Sequence, residues 1–160
     1  MKPYSPNRRL SGFTIIESMI TIVVLSVMVT VAIPWFTDLV LKNRVNSTAT
    51  DIQMSLLLAR SEAVKRNTTA SITPTDNTAW TKGWMVTYVD GGGTTRTLKT
   101  QAAYPGGAMT VTGPPAVVAY GREGRLTGTT SVTLTVNVPG NSRVKARTVA
   151  VDVGGRPNVH

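Results

Sequence analysis

Glu17 stands inside an otherwise apolar run, FTIIESMITIVVLSVMVTVAI, that covers residues 13–33. A carboxylate within a membrane-length apolar segment costs about 3 kcal/mol on insertion scales, so it needs a partner and a task. If the chain is cut between Gly12 and Phe13, the new amino group of Phe13 becomes a candidate partner one helical turn from Glu17. A second set with chemical potential is Arg143-Val144-Lys145-Ala146-Arg147. In an extended chain its three cations project on one side at two-residue spacing, with Val144 and Ala146 on the other. Such neighbours lie ~7 Å apart, comparable with phosphates along a nucleic-acid strand. Arg156 follows Gly154 and Gly155, which free its backbone to add a flexible contact. The same charges suit DNA, an acidic protein partner or a solvated edge strand that resists aggregation.

Catalytic sets are missing by composition. Cysteine is absent and the one histidine is His160. Gly91-Gly92-Gly93 lacks the Gly-Lys-Ser/Thr of a phosphate loop and opens no helix, so it reads as a hairpin turn. Asp76 and Asp90 are lone carboxylates beside turns and read as caps. No paired acids and no nucleophile–base set stand out, so we expect no enzyme, no metal site, no cofactor and no small-molecule substrate.

These residues must be carried by particular elements. At ~1.5 Å per residue the apolar run makes a helix of roughly 30 Å, enough to cross a bilayer core. The leader before it holds Lys2, Arg8 and Arg9 and no acid. That bias keeps the leader in the cytoplasm and puts the C-terminal part outside the membrane. Past Pro34 the pattern becomes amphipathic: Ile52, Leu56, Ala59 and Ala63 share one face, which Leu57, Leu58 and Val64 widen. The spacing predicts one helix over residues 13–66, bent near Pro34, with a stop at Asn67, a residue tolerant of left-handed geometry.

Beyond Asn67 the composition shifts to Thr, Val and Gly. Strands are expected at 69–73, 82–90, 95–100, 116–120 and 131–138, with Val149, Val151 and Val153 closing the set. Pro114-Pro115 breaks the chain before the fourth of these. The net charge is +9, and the residues from Arg96 onward carry eight basic side chains against Glu123 and Asp152, hence +6.

Gly12-Phe13-Thr14-Ile15-Ile16-Glu17 resembles the prepilin peptidase signature of type IV pilins and type II secretion pseudopilins. The resemblance implies cleavage after Gly12 and N-methylation of Phe13. It also gives Glu17 a role in registering each subunit against a neighbour's amine, and Pro34 the role of bending the helix. Leu58-Ala59-Arg60-Ser61-Glu62-Ala63-Val64-Lys65-Arg66-Asn67 resembles the helix end of the GspH/FimT branch. Trp80-Thr81-Lys82-Gly83-Trp84 and Gly121-Arg122-Glu123-Gly124-Arg125-Leu126-Thr127-Gly128 resemble a strand and a turn of the same branch.

The expected fold is therefore α+β, a type IV pilin fold with a long N-terminal helix packed on a small antiparallel sheet domain. Its parts are a cleaved leader (1–12), a transmembrane segment (13–33), a periplasmic helix (34–67) and a β-rich domain (68–160). The implied role is a minor pilin that helps initiate a type IV pilus or forms its tip. The alternative is a minor pseudopilin of type II secretion. The implied location is the bacterial inner membrane, single-pass, and then the filament. Implied partners are other pilins or pseudopilins, the prepilin peptidase and the membrane. Some FimT-type proteins capture DNA in natural transformation through a Gly-Arg-x-Arg tail; here Gly155-Arg156-Pro157-Asn158 keeps the first arginine and has Asn158 at the second.

Overall fold

The computed structural model describes residues 12–76, 79–104, 109–113 and 117–160. The leader up to Ser11, the Pro114-Pro115 break and Ala116 lie outside the described residues. The chain divides into two units, Met1–Thr37 and Asp38–His160.

In the first unit the described chain from Gly12 onward is exposed and, from Ile15, helical. Thr14 caps the helix: its Oγ1 accepts from the N–H of Glu17 at 3.2 Å. Threonine followed three residues later by glutamate is a capping-box spacing, so the first turn is specified locally. The element, α1, runs Ile15–Arg66 and contains Pro34 without interruption. Within it lies a stretch long and apolar enough to cross a membrane.

The second unit packs the later turns of α1 on eight strands. They are β1 (Ala70–Pro74), β2 (Gly83–Val89), β3 (Thr95–Ala102) and β4 (Thr110–Thr112), then β5 (Val118–Tyr120), β6 (Val132–Asn137), β7 (Arg147–Val151) and β8 (Pro157–Val159). Two four-stranded sheets form, in the orders β3-β2-β1-β5 and β4-β6-β7-β8. Every strand pairing among the described residues is antiparallel. The glycine run turns β2 into β3, and Asp90 caps that turn by accepting from the N–H groups of Gly92 and Thr94. Those bonds and the neighbouring Arg96 hold the Asp90 carboxyl below its usual range. Asn67 ends α1 at φ 53°, as the sequence leads one to expect.

The buried stripe of α1 is Val45, Ala49, Ile52, Leu56, Ala59 and Ala63. At 3.6 residues per turn these positions fall on one face, which meets Ile72, Trp84, Val86 and Tyr120 of the first sheet and Leu134, Val136, Val149 and Val151 of the second. Polar residues line both flanks of the stripe. On one flank Ser55 Oγ accepts from the buried Trp84 Nε1 at 3.0 Å, Asp51 from the Tyr104 hydroxyl at 2.6 Å, and Arg66 stacks over Tyr88. On the other flank Asn46, Gln53 and Arg60 recur every seven residues. Asn46 Oδ1 accepts from Arg147 Nε, Gln53 Nε2 donates to the Pro157 carbonyl, and Arg60 donates to the Gly124 and Gly154 carbonyls. One helix thus straddles both sheets, with its first flank on β2 and its second on the C-terminal strands.

Two expectations need correction. Leu57 and Val64 do not widen the buried face; they are 42 % and 52 % exposed, with Val64 at the rim beside the Gly124 turn. Val153 lies beyond β7 and is exposed. The β2–β3 register shifts between Val86 and Thr87, where Leu98 of β3 is the extra residue, while β2 stays in unbroken register with β1.

Candidate functional site

At the N-terminal site, a Cβ added to Gly12 would meet nothing within 4 Å, so the described fold makes no demand for glycine there. Phe13 is 81 % exposed. The hydroxyls of Ser18, Thr21, Ser26 and Thr30 all donate to carbonyls one turn back in α1, the standard way to satisfy a hydroxyl in an apolar medium. The carboxylate of Glu17 has no such recourse, since a carboxylate only accepts. It finds no partner among the described residues.

The basic candidates fall in two places. The stretch from Arg143 to Arg147 is not an extended ladder: Ser142 and Arg143 lie in a turn, and only Arg147 enters β7. Val144 turns inward and is 5 % exposed, while Ala146 faces out with its neighbours. The physical reason is local. Asp38 on α1 accepts from Asn141 Nδ2 at 2.7 Å and from Arg143 at 3.5 Å, and Asn141 Oδ1 accepts from the Arg143 N–H. Buried Val144 and this network fold the segment back onto the helix before β7 begins.

The backbone at Arg156 is tied into a tight turn, with the side chain exposed. Gly155 is buried at φ +79°, and a Cβ there would strike the Gly124 carbonyl and the Tyr120 ring. The Gly155 N–H donates to the Asp152 carbonyl, and the Arg156 N–H to the Asp152 side chain. Asn158, at the position of the second tail arginine, pairs with Ala150 in β8. Arg147 opens β7 and Arg156 sits past its other end. Five strand steps of ~3.3 Å separate them by roughly 17 Å. The structure therefore brings Arg143, Lys145 and Arg147 together and leaves Arg156 apart from them.

A family model for the type II transport protein GspH matches residues 48–155. This covers more than half of the chain and every strand except β8. The chain belongs to the GspH family. A second model, the prokaryotic N-terminal methylation motif, matches residues 7–33 of this GspH-family protein. Its fold is similar to that of the type IV minor pilin FimU of Pseudomonas aeruginosa, at TM-score 0.64 and 22 % identity over 74 % of this chain and 89 % of that one. It is also similar to the minor pseudopilin EpsH of the Vibrio cholerae type 2 secretion system, at TM-score 0.56 and 13 % identity over 72 % of this chain and 94 % of that one. No curated protein matches closely enough in sequence to count as a relative. The expected pilin fold, with its long helix on antiparallel sheet, is thereby shown.

Among the described residues of this family member no group of three His, Cys, Asp or Glu side chains could hold a metal. Sequence reasoning missed Thr14 as the helix cap, although its spacing from Glu17 carries the signal. It also missed Arg60, whose partners lie 64 and 94 residues away and leave no local trace.

Proposed function

We propose that this GspH-family protein is a minor pilin of a type IV pilus. In this reading the prepilin peptidase cuts behind Gly12, Phe13 is N-methylated, and the helix carries the subunit from the inner membrane into the filament, with its β domain on the periplasmic side. The observation that carries the proposal is the carboxylate of Glu17. It sits in an exposed apolar helix whose hydroxyls are satisfied internally, and it has no partner among the described residues. The amine of a neighbouring subunit supplies the missing charge, so a carboxylate costly in lipid becomes a device for registering subunits. Gly12 supports the same reading, because the fold itself has no use for a glycine at that point.

Pilus is favoured over secretion by residues 58–67, whose sequence is closer to the FimT/FimU helix end than to GspH. The alternative, a minor pseudopilin of type II secretion, is favoured by the description of the matching family model. The nucleic-acid reading of Arg143, Lys145, Arg147 and Arg156 loses its single four-cation track to the separation of Arg156.

The test is mass spectrometry of the chain recovered from the producing cell. A mature form beginning at methylated Phe13 is expected, and a form still carrying the leader, or cut elsewhere, would sink the proposal. Deleting the chain then separates the two systems: loss of surface pili with secretion intact is expected, and the reverse result assigns it to secretion.

A further inference from the structure

The segment from Asn141 to Arg147 is tied to the first turns of α1 that belong to the second unit. Arg143 bonds to Asp38 and Arg147 to Asn46. On a helix, positions 38, 42 and 46 follow one another at four-residue spacing along one flank, so Lys42 lies between these two anchors. Lys145 projects from the same segment and is exposed. Neither Lys42 nor Lys145 has a hydrogen bond or ion pair with any described residue. Four cations, Lys42, Arg143, Lys145 and Arg147, thus share one surface with a single acid, Asp38, for a local charge of +3.

Where this surface lies follows from chain length. The apolar run ends at Ile33, and Asp38 is five residues on. Five residues span at most ~18 Å even when fully extended. Past the hydrocarbon edge the headgroup layer takes roughly 5–8 Å, and the field of a charged surface reaches about 8 Å farther at physiological salt. Whatever the orientation of the second unit, the tether holds Asp38 within ~18 Å of the hydrocarbon edge while residues 13–33 are in the bilayer, at most a few ångströms past that zone. Free DNA must arrive by diffusion, whereas lipid is held close to these cations by the tether. Arg156, about 17 Å along β7, does not extend the surface into a longer track.

We propose that Lys42, Arg143, Lys145 and Arg147 form a membrane-proximal cationic face that holds anionic phospholipid headgroups while the chain is anchored. Arg143 and Arg147 are held at the helix, and Lys42 and Lys145 stay free to reach phosphates. Each basic side chain near an anionic surface strengthens association roughly fivefold.

The experiment uses the full chain in nanodiscs, one set of phosphatidylcholine alone and one containing phosphatidylglycerol. Amide hydrogen exchange is followed over residues 38–46 and 140–147. Slower exchange in the anionic discs, reversed by salt, is expected. The double variant Lys42→Gln with Lys145→Gln touches no contact that holds the fold. It should lose roughly 25-fold in association and show no slowing. Equal exchange in both discs overturns the proposal, as does slowing that survives in the double variant. Slowing that appears only when DNA is added to the neutral discs also overturns it, and gives the face to nucleic acid instead.

Discussion

Arg60 Nε donates to the carbonyl of Gly124 at 2.9 Å, and the same guanidinium reaches the carbonyl of Gly154 at 3.4 Å. One helix side chain thereby fixes two turns, the one that follows β5 and the one that joins β7 to β8. Gly124 lies under Val64 and Arg60 at φ +71°, with room for a hydrogen and little else. Arg60→Ala should cost about 1.5–3 kcal/mol, the range for hydrogen bonds to a charged group. Gly124→Ala should cost about 1–3 kcal/mol, because its Cβ would lie 2.9 Å from Val64 Cγ2 at a backbone angle that L residues avoid. The double variant should lose less than the sum, since both act at one contact. Denaturant midpoints of the detergent-solubilised chain measure all three.

Trp84 is fully buried, and its Nε1–H is satisfied by Ser55 Oγ of α1. Ser55→Ala strands that donor in the core and should cost about 1–3 kcal/mol. The loss should appear as a lower denaturant midpoint without a change in slope. An unchanged midpoint would mean that the bond carries no net stability.

Alkaline pH should unfold the second unit through two tyrosines. Burial pushes the Tyr120 hydroxyl well above its usual range; nearby Asp152 adds to the rise, and Arg60 opposes it. Burial raises Tyr104 likewise, with the Asp51 carboxylate beside it adding to the effect. Both groups keep their protons in the folded chain after the unfolded chain has lost them. Stability is therefore full below about pH 10, the ordinary tyrosine value, and falls as pH rises beyond it. Tyr120 Oη has no hydrogen-bond partner among the described residues. Tyr120→Phe should thus leave neutral-pH stability within about 1 kcal/mol of the parent and flatten the alkaline decline. Melting curves across the alkaline range decide it.

Glu17→Val should leave membrane insertion intact, because it removes a cost of about 3 kcal/mol from the span. Recovery of the chain in sheared filaments should fall at least tenfold. Gly12→Val should leave the fold untouched, since nothing lies within 4 Å of the new Cβ, and should block appearance of the form that begins at Phe13. Immunoblots of membrane and filament fractions read both. Normal incorporation of the Glu17 variant would remove the charge-pairing role from that residue.

Much of this protein is legible along the chain because the relevant physics is local or compositional. Residues 13–33 partition by apolarity alone, and Glu17 is conspicuous there because a carboxylate in such a run is costly. The helix end at Asn67 and the Asp90-capped glycine turn follow from backbone preferences of single residues. Strands β1, β2 and β6 are legible from alternation over at least five residues and β3 from the glycine turn before it, whereas β4 and β8 are three residues each and too short to show any period.

Tertiary structure decided the rest. It made two sheets from one run of strands, because pairing depends on contacts between residues far apart in sequence. It left Leu57 and Val64 outside, since the buried arc of α1 is narrower than its apolar arc. It also divided the cations: Asp38 and buried Val144 draw the segment around Arg143 onto the helix, while Gly155 pins Arg156 at the far end of β7. The sequence by itself determined that the chain carries a membrane-length helix with one unsatisfied carboxylate. Only the packing of helix on two sheets decided which charges stand together, because that depends on which distant residues bury their apolar neighbours.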